Sequence, residues 1–403
     1  MLLPVEQAIQ SLLDQAISDR PVIQVPAQQA SGKVLAEDIV STISVPPADN
    51  SAMDGYAIRL KDAQQGESLP VSQRIPAGTA PEPLTPGTAA RIFTGAQIPA
   101  GADCVIMQEN AESDGDMVRF RSLPNTSGEN IRRAGEDIEP NATILRRGTS
   151  IRPQEAGLLA SVGVAQVPVF KPLRVAVLST GSELVEPGLS LQPGQIYNSN
   201  RPMILSFLDS LGFEAVDAGI CADSYEGTKA ALQSAANDAD IVITSGGVSV
   251  GEEDHVKAAV EALGELNLWK VAIKPGKPFA FGYLGEKGNP DSAHFIGLPG
   301  NPASVFTTFL ILARPFLLKC QGCKDTEITP IKMPAAFSRK AVKRQEYLRV
   351  QIVDGQLTAF PNQGSGVLTS ACWAEGFAVQ KIGETITAKQ PIDYIPFSAL
   401  INK

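Results

Sequence analysis

Between Leu173 and Lys319 the chain repeats one pattern: a short apolar run rich in β-branched residues, then a glycine loop, then a segment with helical spacing. Leu173–Leu178, Asp240–Ile243, Trp269–Ile273 and Phe295–Leu298 read as buried strands. Pro202–Leu211, which stops at Gly212, His255–Leu263 and Ala303–Lys319 read as helices, and Asp223 with Glu226 predicts a capping box before another. Strands and helices alternating at this spacing predict a mostly parallel, three-layer α/β sheet. Ligands on such sheets bind beyond the carboxyl ends of the strands.

The loops at those ends share a chemistry. Leu178 is followed by Ser179-Thr180-Gly181-Ser182-Glu183, and Ile243 by Thr244-Ser245-Gly246-Gly247-Val248-Ser249-Val250-Gly251-Glu252-Glu253-Asp254. Ile273 is followed by Lys274-Pro275-Gly276-Lys277-Pro278, and Leu298 by Pro299-Gly300-Asn301-Pro302. Exposed loop N–H groups ahead of a helix N-terminus are what a phosphate needs. One such loop is as often a steric turn as a binding site, but four together, with two lysines set between prolines, predict an anionic ligand. The loops also bring Glu183, Glu252, Glu253 and Asp254, with Asp223 after the preceding strand. Asp223 and Asp254 have a plain alternative as helix N-caps. Carboxylates beside phosphate loops also hold Mg²⁺, one or two at a time, and one residue can serve both roles. Neither a GxxxxGK[ST] loop nor a GxGxxG turn opening a strand–helix unit is present, so a P-loop enzyme and a dinucleotide dehydrogenase lose support.

Composition narrows the classes further. With 34 Lys and Arg against 43 Asp and Glu the net charge is −9, which argues against nucleic acid or an anionic membrane as partner. Two histidines, His255 and His294, make a His-rich zinc site or a serine–histidine hydrolase a poor fit. Of five cysteines only Cys320 and Cys323 form a CxxC, with no second pair, so reduced thiols and a cytoplasmic home are expected. Met1–Gln15 carries Glu6 and Asp14 and no basic run, unlike a signal peptide. The most apolar stretch, Val305–Leu318, is interrupted by Thr307, Thr308, Arg314 and Pro315, so no membrane span is expected.

The flanks differ in pattern. Val5, Ala8, Ile9, Leu12, Leu13, Ala16 and Ile17 behind Pro4 predict an amphipathic helix, and Arg152–Val162 another. From Pro46 to Pro140 short runs such as Ala89–Thr94 and Cys104–Met107, with a hairpin signal at Asp114-Gly115, predict a β-rich unit. Beyond Cys323 the helices are expected to stop. Ile331–Phe360 and Gly376–Thr387 alternate apolar and polar residues, with a turn at Asp354-Gly355, and predict a small barrel or sandwich.

Thr244–Lys257 (TSGGVSVGEEDHVK), Lys274–Gly282 (KPGKPFAFG) and Gly297–Ser304 (GLPGNPAS) resemble the molybdopterin-binding fold. Asp49–Arg59 (DNSAMDGYAIR), Ile92–Ala96 (IFTGA), Asn130–Ile138 (NIRRAGEDI), Glu346–Arg349 (EYLR) and Asn362–Gly366 (NQGSG) extend the likeness over nearly the whole chain. The chain resembles the molybdopterin molybdenumtransferases, bacterial relatives of the gephyrin E domain.

The resemblance implies a multidomain α/β plus β protein: an elongated N-terminal domain (1–45 and 141–172), an inserted β-rich domain (46–140), a three-layer molybdopterin-binding α/β domain (173–324) and a C-terminal β-barrel (325–403). It implies Mg²⁺-dependent insertion of molybdate into adenylylated molybdopterin with release of AMP, in a homodimer whose active sites lie between subunits. Other proteins of molybdenum cofactor synthesis are further partners it suggests. Carried over by position, the catalytic residues are Asp54, Thr94, Asp137, Glu183 and Asp254, and the metal ligands Glu183, Asp223 and Asp254. Substrate contacts fall on Arg132, Ser245, Gly246, Gly247, Ser249, Lys270, Lys274, Lys277, Pro299, Asn301, Arg349 and Ser365. Ser182 stands where relatives often carry Asp. On residue type alone Asp54 reads as a turn aspartate, Thr94-Gly95 as a strand end and Arg132-Arg133 as a solvated pair. Two other readings share the fold: an adenylyltransferase acting one step earlier with ATP, and a non-catalytic dimeric scaffold.

Overall fold

The computed structural model describes residues 2–247, 255–286, 288–289 and 292–401. They form two compact units, one of Met1–Glu37, Arg147–Pro153 and Gln166–Lys403, the other of Asp38–Arg146 and Gln154–Ala165.

The first unit is built on a six-stranded sheet: β1 (Arg174–Thr180), β2 (Glu214–Cys221), β3 (Ile241–Ser245), β4 (Gly264–Lys270), β5 (Pro278–Leu284) and β6 (Ala293–Leu298), in the order β2-β1-β3-β6-β5-β4. The first four in that order run parallel, and β5 pairs antiparallel with both β6 and β4. Alternation along the strands decides the layers. Val175, Val177, Ile241, Ile243, Ile296 and Leu298 face α1 (Asn200–Ser210) and α4 (Pro302–Cys320). Ala176, Leu178, Val242 and Phe295 face α2 (Tyr225–Asp238) and α3 (His255–Leu263). That is the expected three-layer arrangement.

Several details differ from expectation. The strand expected over Trp269–Ile273 ends at Lys270, and Pro278–Leu284, which sequence patterning passes over, is a full strand. The capping residue of α2 is Ser224, whose hydroxyl accepts from the Gly227 N–H at 3.2 Å; Asp223 lies one residue outside the cap. α4 is not uniform: Phe309–Ala313 is a π-turn immediately before Arg314-Pro315, where the proline has no N–H to continue the ladder. By length and hydropathy α4 could cross a membrane, yet 94% of it is buried in protein, which makes it a core helix. The N-terminal helix spans Val5–Leu13 and buries Val5, Ala8 and Leu12; it stops before Ala16, and Ile17 is left exposed.

The C-terminal residues form a second sheet in the same unit. Its order is Ile273–Lys274, Gln345–Val353, Gly376–Gln380, Pro391–Pro396, Ile331–Pro334, with Gln356–Ala359 hairpinned onto Gln345–Val353. A lone bridge between Ala335 and Leu357 links the two far edges around Leu348, Val350, Ala378, Ile392 and Tyr394. Helices do not stop at Cys323: Thr369–Trp373 and Phe397–Ile401 are single turns, too short to show a periodic stripe.

The second unit is a six-stranded sheet ordered Cys104–Met107, Gly55–Ile58, Ala89–Ile92, Ser68–Ile75, Met117–Phe120, Ala111–Asp114. Both faces are covered, one by Tyr56, Ile58, Ile106 and Phe120 and the other by Ala57, Ile92 and Val105. The expected hairpin is present, with Gly115 at φ +59° in its turn.

Candidate active site

The parallel strands of the first unit deliver their exits to one edge, because Thr180 pairs with Cys221, Ser179 with Ser245, and Ser245 with Leu298. The Lys274–Lys277 loop joins β4 to β5 at the same edge, since Pro278 begins the strand antiparallel to β6. Gly246 and Gly247 have φ of +90° and +65°, which other residues adopt only under strain. A Cβ on Gly246 would lie 3.2 Å from the Thr180 carbonyl oxygen, and one on Gly247 would collide with Val256. The Gly300 position lies within 3.9 Å of the Gly246 Cα by the same construction, so the exits of β1, β3 and β6 meet.

Polar groups at this edge are incompletely satisfied. Among the described residues the buried Thr244 Oγ1 and Ser245 Oγ have no hydrogen-bond partner. Asn200, at the start of α1, donates its amide to the Gly300 carbonyl at 2.7 Å and leaves a buried Oδ1 without a partner. Buried polar groups are ordinarily paired, so three orphans at one edge mark a place shaped for donors and acceptors from elsewhere. Asn198 ties the same helix to β1 through Ser179 Oγ at 2.9 Å. Neither asparagine follows from loop reading, because both sit after the short strand Ile196–Tyr197, whose exposed residues give no buried-strand pattern; the available signal was the pair of amides just ahead of Pro202.

Glu183 follows Gly181, whose φ is +140° and where a Cβ would stand 2.5 Å from Glu183 Oε2. The missing side chain leaves room for that carboxylate. Glu183 and Asp223 are both exposed, on the exits of neighbouring strands, and neither makes a side-chain hydrogen bond or ion pair among the described residues. No group of three or more potential ligands comes together among the described residues. The donor set still suits Mg²⁺, which takes one or two carboxylates and fills its octahedron with water and phosphate oxygens. Ser249 and Asp254 lie outside the described residues.

The lysines divide. Lys270 and Lys277 are exposed and without a carboxylate among the described residues. Lys274 is different: its Nζ lies 2.7 Å from Glu346 Oε1, and Glu346 Oε2 takes Arg339 at 2.6 Å. Glu346 is buried, so its charge is held by two cations, and Lys274 serves this pairing first.

Arg349, expected as a substrate contact, is committed to the protein interior. It is 1% exposed, and its guanidinium donates to Ser370 Oγ at 3.0 Å, the Tyr347 carbonyl at 3.3 Å and the Gly364 carbonyl at 3.1 Å. Burial pulls its pKa down to about 10, still charged at neutral pH. Arg349 therefore shapes the Asn362–Gly366 loop from below. That loop reaches the strand-exit edge: the Ser365 carbonyl accepts from the Ala303 N–H at 3.0 Å, next to Pro299 and Asn301.

In the second unit Asp54 and Thr94, 40 residues apart in sequence, form one group: Asp54 Oδ1 accepts from the Thr94 N–H at 2.7 Å and the Thr94 Oγ1–H at 2.8 Å. Those bonds, the backbone N–H first, hold the Asp54 carboxyl below its usual range. Arg132 pairs in register with Asn50 on a two-residue bridge, and Asp137 is exposed. Beside them Asp49 accepts from the Ala134 N–H at 2.8 Å and pairs with Arg133 at 2.6 Å. Arg133 is thus a structural partner of Asp49, while Arg132 stays exposed.

Residues 3–163 match the family described as "MoeA N-terminal region (domain I and II)", 176–319 the "Probable molybdopterin binding domain", and 332–397 the "MoeA C-terminal region (domain IV)". A molybdopterin molybdenumtransferase of Haemophilus influenzae is 44% identical over 86% of this chain and 85% of its own length. One from Nostoc is 37% identical over 88% and 84%. A crystal structure of the molybdopterin biosynthesis moeA protein of Pyrococcus horikoshii superposes with a TM-score of 0.81 at 31% identity, covering 98% of this chain and 99% of that one. The fold is that of a multidomain molybdopterin-binding protein. The chain belongs to the molybdopterin molybdenumtransferase family.

Proposed function

We propose that this chain, a transferase of molybdenum cofactor biosynthesis, inserts molybdate into adenylylated molybdopterin and releases AMP. The observation that carries the reading is the strand-exit edge, where two positive-φ glycines meet three orphaned buried polar atoms, Thr244 Oγ1, Ser245 Oγ and Asn200 Oδ1. A phosphoanhydride supplies acceptors for the hydroxyls and loop N–H groups, and the pterin and adenine supply donors for Asn200. Lys270 and Lys277 hold the phosphates, each charged hydrogen bond contributing about 1.5–3 kcal/mol.

Glu183 and Asp223, with Asp254, would hold Mg²⁺, which when bound neutralises charge at the anhydride. An oxygen of molybdate or of water attacks the AMP phosphorus, the anhydride P–O bond breaks, and the displaced phosphate stays with the pterin. No protein nucleophile is needed, in keeping with a chain that has only two histidines. Asp54, locked in its ionised form by Thr94, orients a donor of the substrate, with Arg132 and Asp137 alongside.

The four-part division given above, a homodimer in which Asp54, Thr94, Arg132 and Asp137 of one subunit serve the loops of the other, contacts with other cofactor-synthesis proteins and a cytoplasmic location belong to the same reading, supported by the family. Purified protein mixed with adenylylated molybdopterin, Mg²⁺ and molybdate should release AMP in proportion to molybdate inserted. Tight binding of the nucleotide without AMP release would refute the reaction. Oxygen-18 supplied in molybdate and recovered in AMP would assign the attacking oxygen; label arriving only from water would assign it to water.

A further inference from the structure

The sheet of the second unit carries two neighbouring positive charges with no ion-pair partner among the described residues. Arg74, on Ser68–Ile75, is in register with Arg91 on the parallel neighbour Ala89–Ile92. Like charges directly opposite on adjacent strands are destabilising. Here both guanidinium carbons lie 4.6 Å from the centroid of the Phe93 ring, and Arg91 lies 5.2 Å from that of Tyr56. The ring faces offset part of the repulsion and hold both forks in place.

Neither arginine forms an ion pair among the described residues. Arg91 donates to the Gly55 carbonyl at 2.8 Å and to Gln108 Oε1 at 2.7 Å, both neutral acceptors. Arg74 makes no hydrogen bond or ion pair among the described residues and is exposed. The pair borders a cavity of about 450 Å³ that is also lined by Tyr56, Ser72, Gln73 and Asp116. Asp116 is the acid in that lining; it forms no ion pair among the described residues. Asp54 is the other acid near Arg91 and interacts with it electrostatically, but its hydrogen bonds come from the Thr94 N–H and hydroxyl rather than from the guanidinium.

We infer that Arg74 and Arg91 form a binding site for a tetrahedral dianion of the phosphate-monoester class. A guanidinium fork takes a phosphate bidentately, and Arg74, which makes no hydrogen bond among the described residues, has its whole fork available for one. A dianion matches two cations, whereas a single carboxylate leaves one unmatched.

Arginine-specific dicarbonyl labelling of the full chain, read peptide by peptide by mass spectrometry, reports this site separately from the strand-exit loops and without any assay of turnover. Two charge-assisted contacts correspond to a Kd on the order of 1 mM. At roughly ten times that concentration, inorganic phosphate should slow labelling of Arg74 about tenfold. AMP should do the same, and chloride at matched ionic strength should not. Arg121, already paired with Glu112 at 3.0 Å, is the internal reference and should not respond. Unchanged labelling of Arg74 in phosphate, or equal slowing at Arg121, overturns the site. Equal protection by glutarate overturns the phosphate class. In Arg91→Gln, phosphate should no longer protect Arg74; protection at wild-type strength would show that the pair is not the site.

Discussion

The two ends of the α/β sheet are built on opposite principles. At the amino ends polar groups close on one another: Asp240 Oδ2 accepts from the Arg174 N–H at 2.7 Å and from Arg20 at 3.0 Å, and Arg20 also donates to the Lys171 and Pro172 carbonyls. At the carboxyl ends Thr244, Ser245 and Asn200 keep buried atoms unpaired, and Glu183 and Asp223 stand free of partners among the described residues. One end spends its polar groups on stability. The other keeps them for a ligand, and the sheet between them is the rigid spacer that makes this division affordable.

The contrast breaks first at Glu183. Glu183→Gln should lower kcat/KM for AMP release on the order of a hundredfold, the scale for loss of one charged group at a reacting phosphate, while the denaturation midpoint stays put. An equal loss of stability would mean that the carboxyl end is structural too.

At the opposite end His294 is the exception, a buried imidazole whose Nδ1 has no partner among the described residues, set among Tyr283, Phe281 and Phe316. Burial pulls its pKa from 6.5 to about 4, so the folded state keeps it neutral while the unfolded chain takes up a proton. Stability from this group is complete above pH 6.5 and declines as the pH falls towards 4, by about 3 kcal/mol in total. His294→Phe should flatten that slope in urea titrations at several pH values, with AMP release per folded molecule unchanged. A slope unaltered by the substitution would place the acid sensitivity elsewhere.

Smaller again is Asp240→Ala. With Arg20 largely buried but Asp240 two-fifths exposed, it should cost about 1–2 kcal/mol of stability and leave turnover intact. A fall in turnover without a fall in stability would show that the ends are coupled.

The smallest effect belongs to the second unit. Thr94→Val removes the hydroxyl donor but keeps the N–H bond, so the Asp54 pKa should rise towards 3.8 and the acid limb of the pH–rate profile should move up with it. The ionised Asp54 favours folding above pH 3.8, and that contribution is lost as the pH falls through its lowered pKa. An acid limb that does not move would detach Asp54 from the reaction.

Much of this was legible in the sequence because burial repeats. The β1, β3 and β6 strands announce themselves as continuous apolar runs, and the glycines after β1 and β3 do stand where positive φ is needed. The β5 strand was hidden because its inward Phe279, Phe281 and Tyr283 alternate with Ala280 and Gly282, and the Pro and Gly around it read as loop. Ser224 displaced Asp223 as cap because only the structure shows which side chain reaches the N–H. Thr94 with Asp54, and Arg349 beneath the Gly364 loop, are long-range pairings that no local pattern encodes; residue type suggested a charge at Arg349 but not its burial.

Ile273–Lys274 leaves the α/β sheet's own connection and pairs with Gln345–Glu346, the start of the longest strand of the C-terminal sheet, where Lys274 meets Glu346. The C-terminal residues are therefore not an appendage that can be exchanged at a sequence boundary. A chimera that grafts residues 325–401 from a relative must carry its matching 271–277 loop, or it inherits an edge strand without a neighbour and a buried glutamate without its lysine. In evolutionary terms the two segments, some 70 residues apart, are expected to drift as one piece.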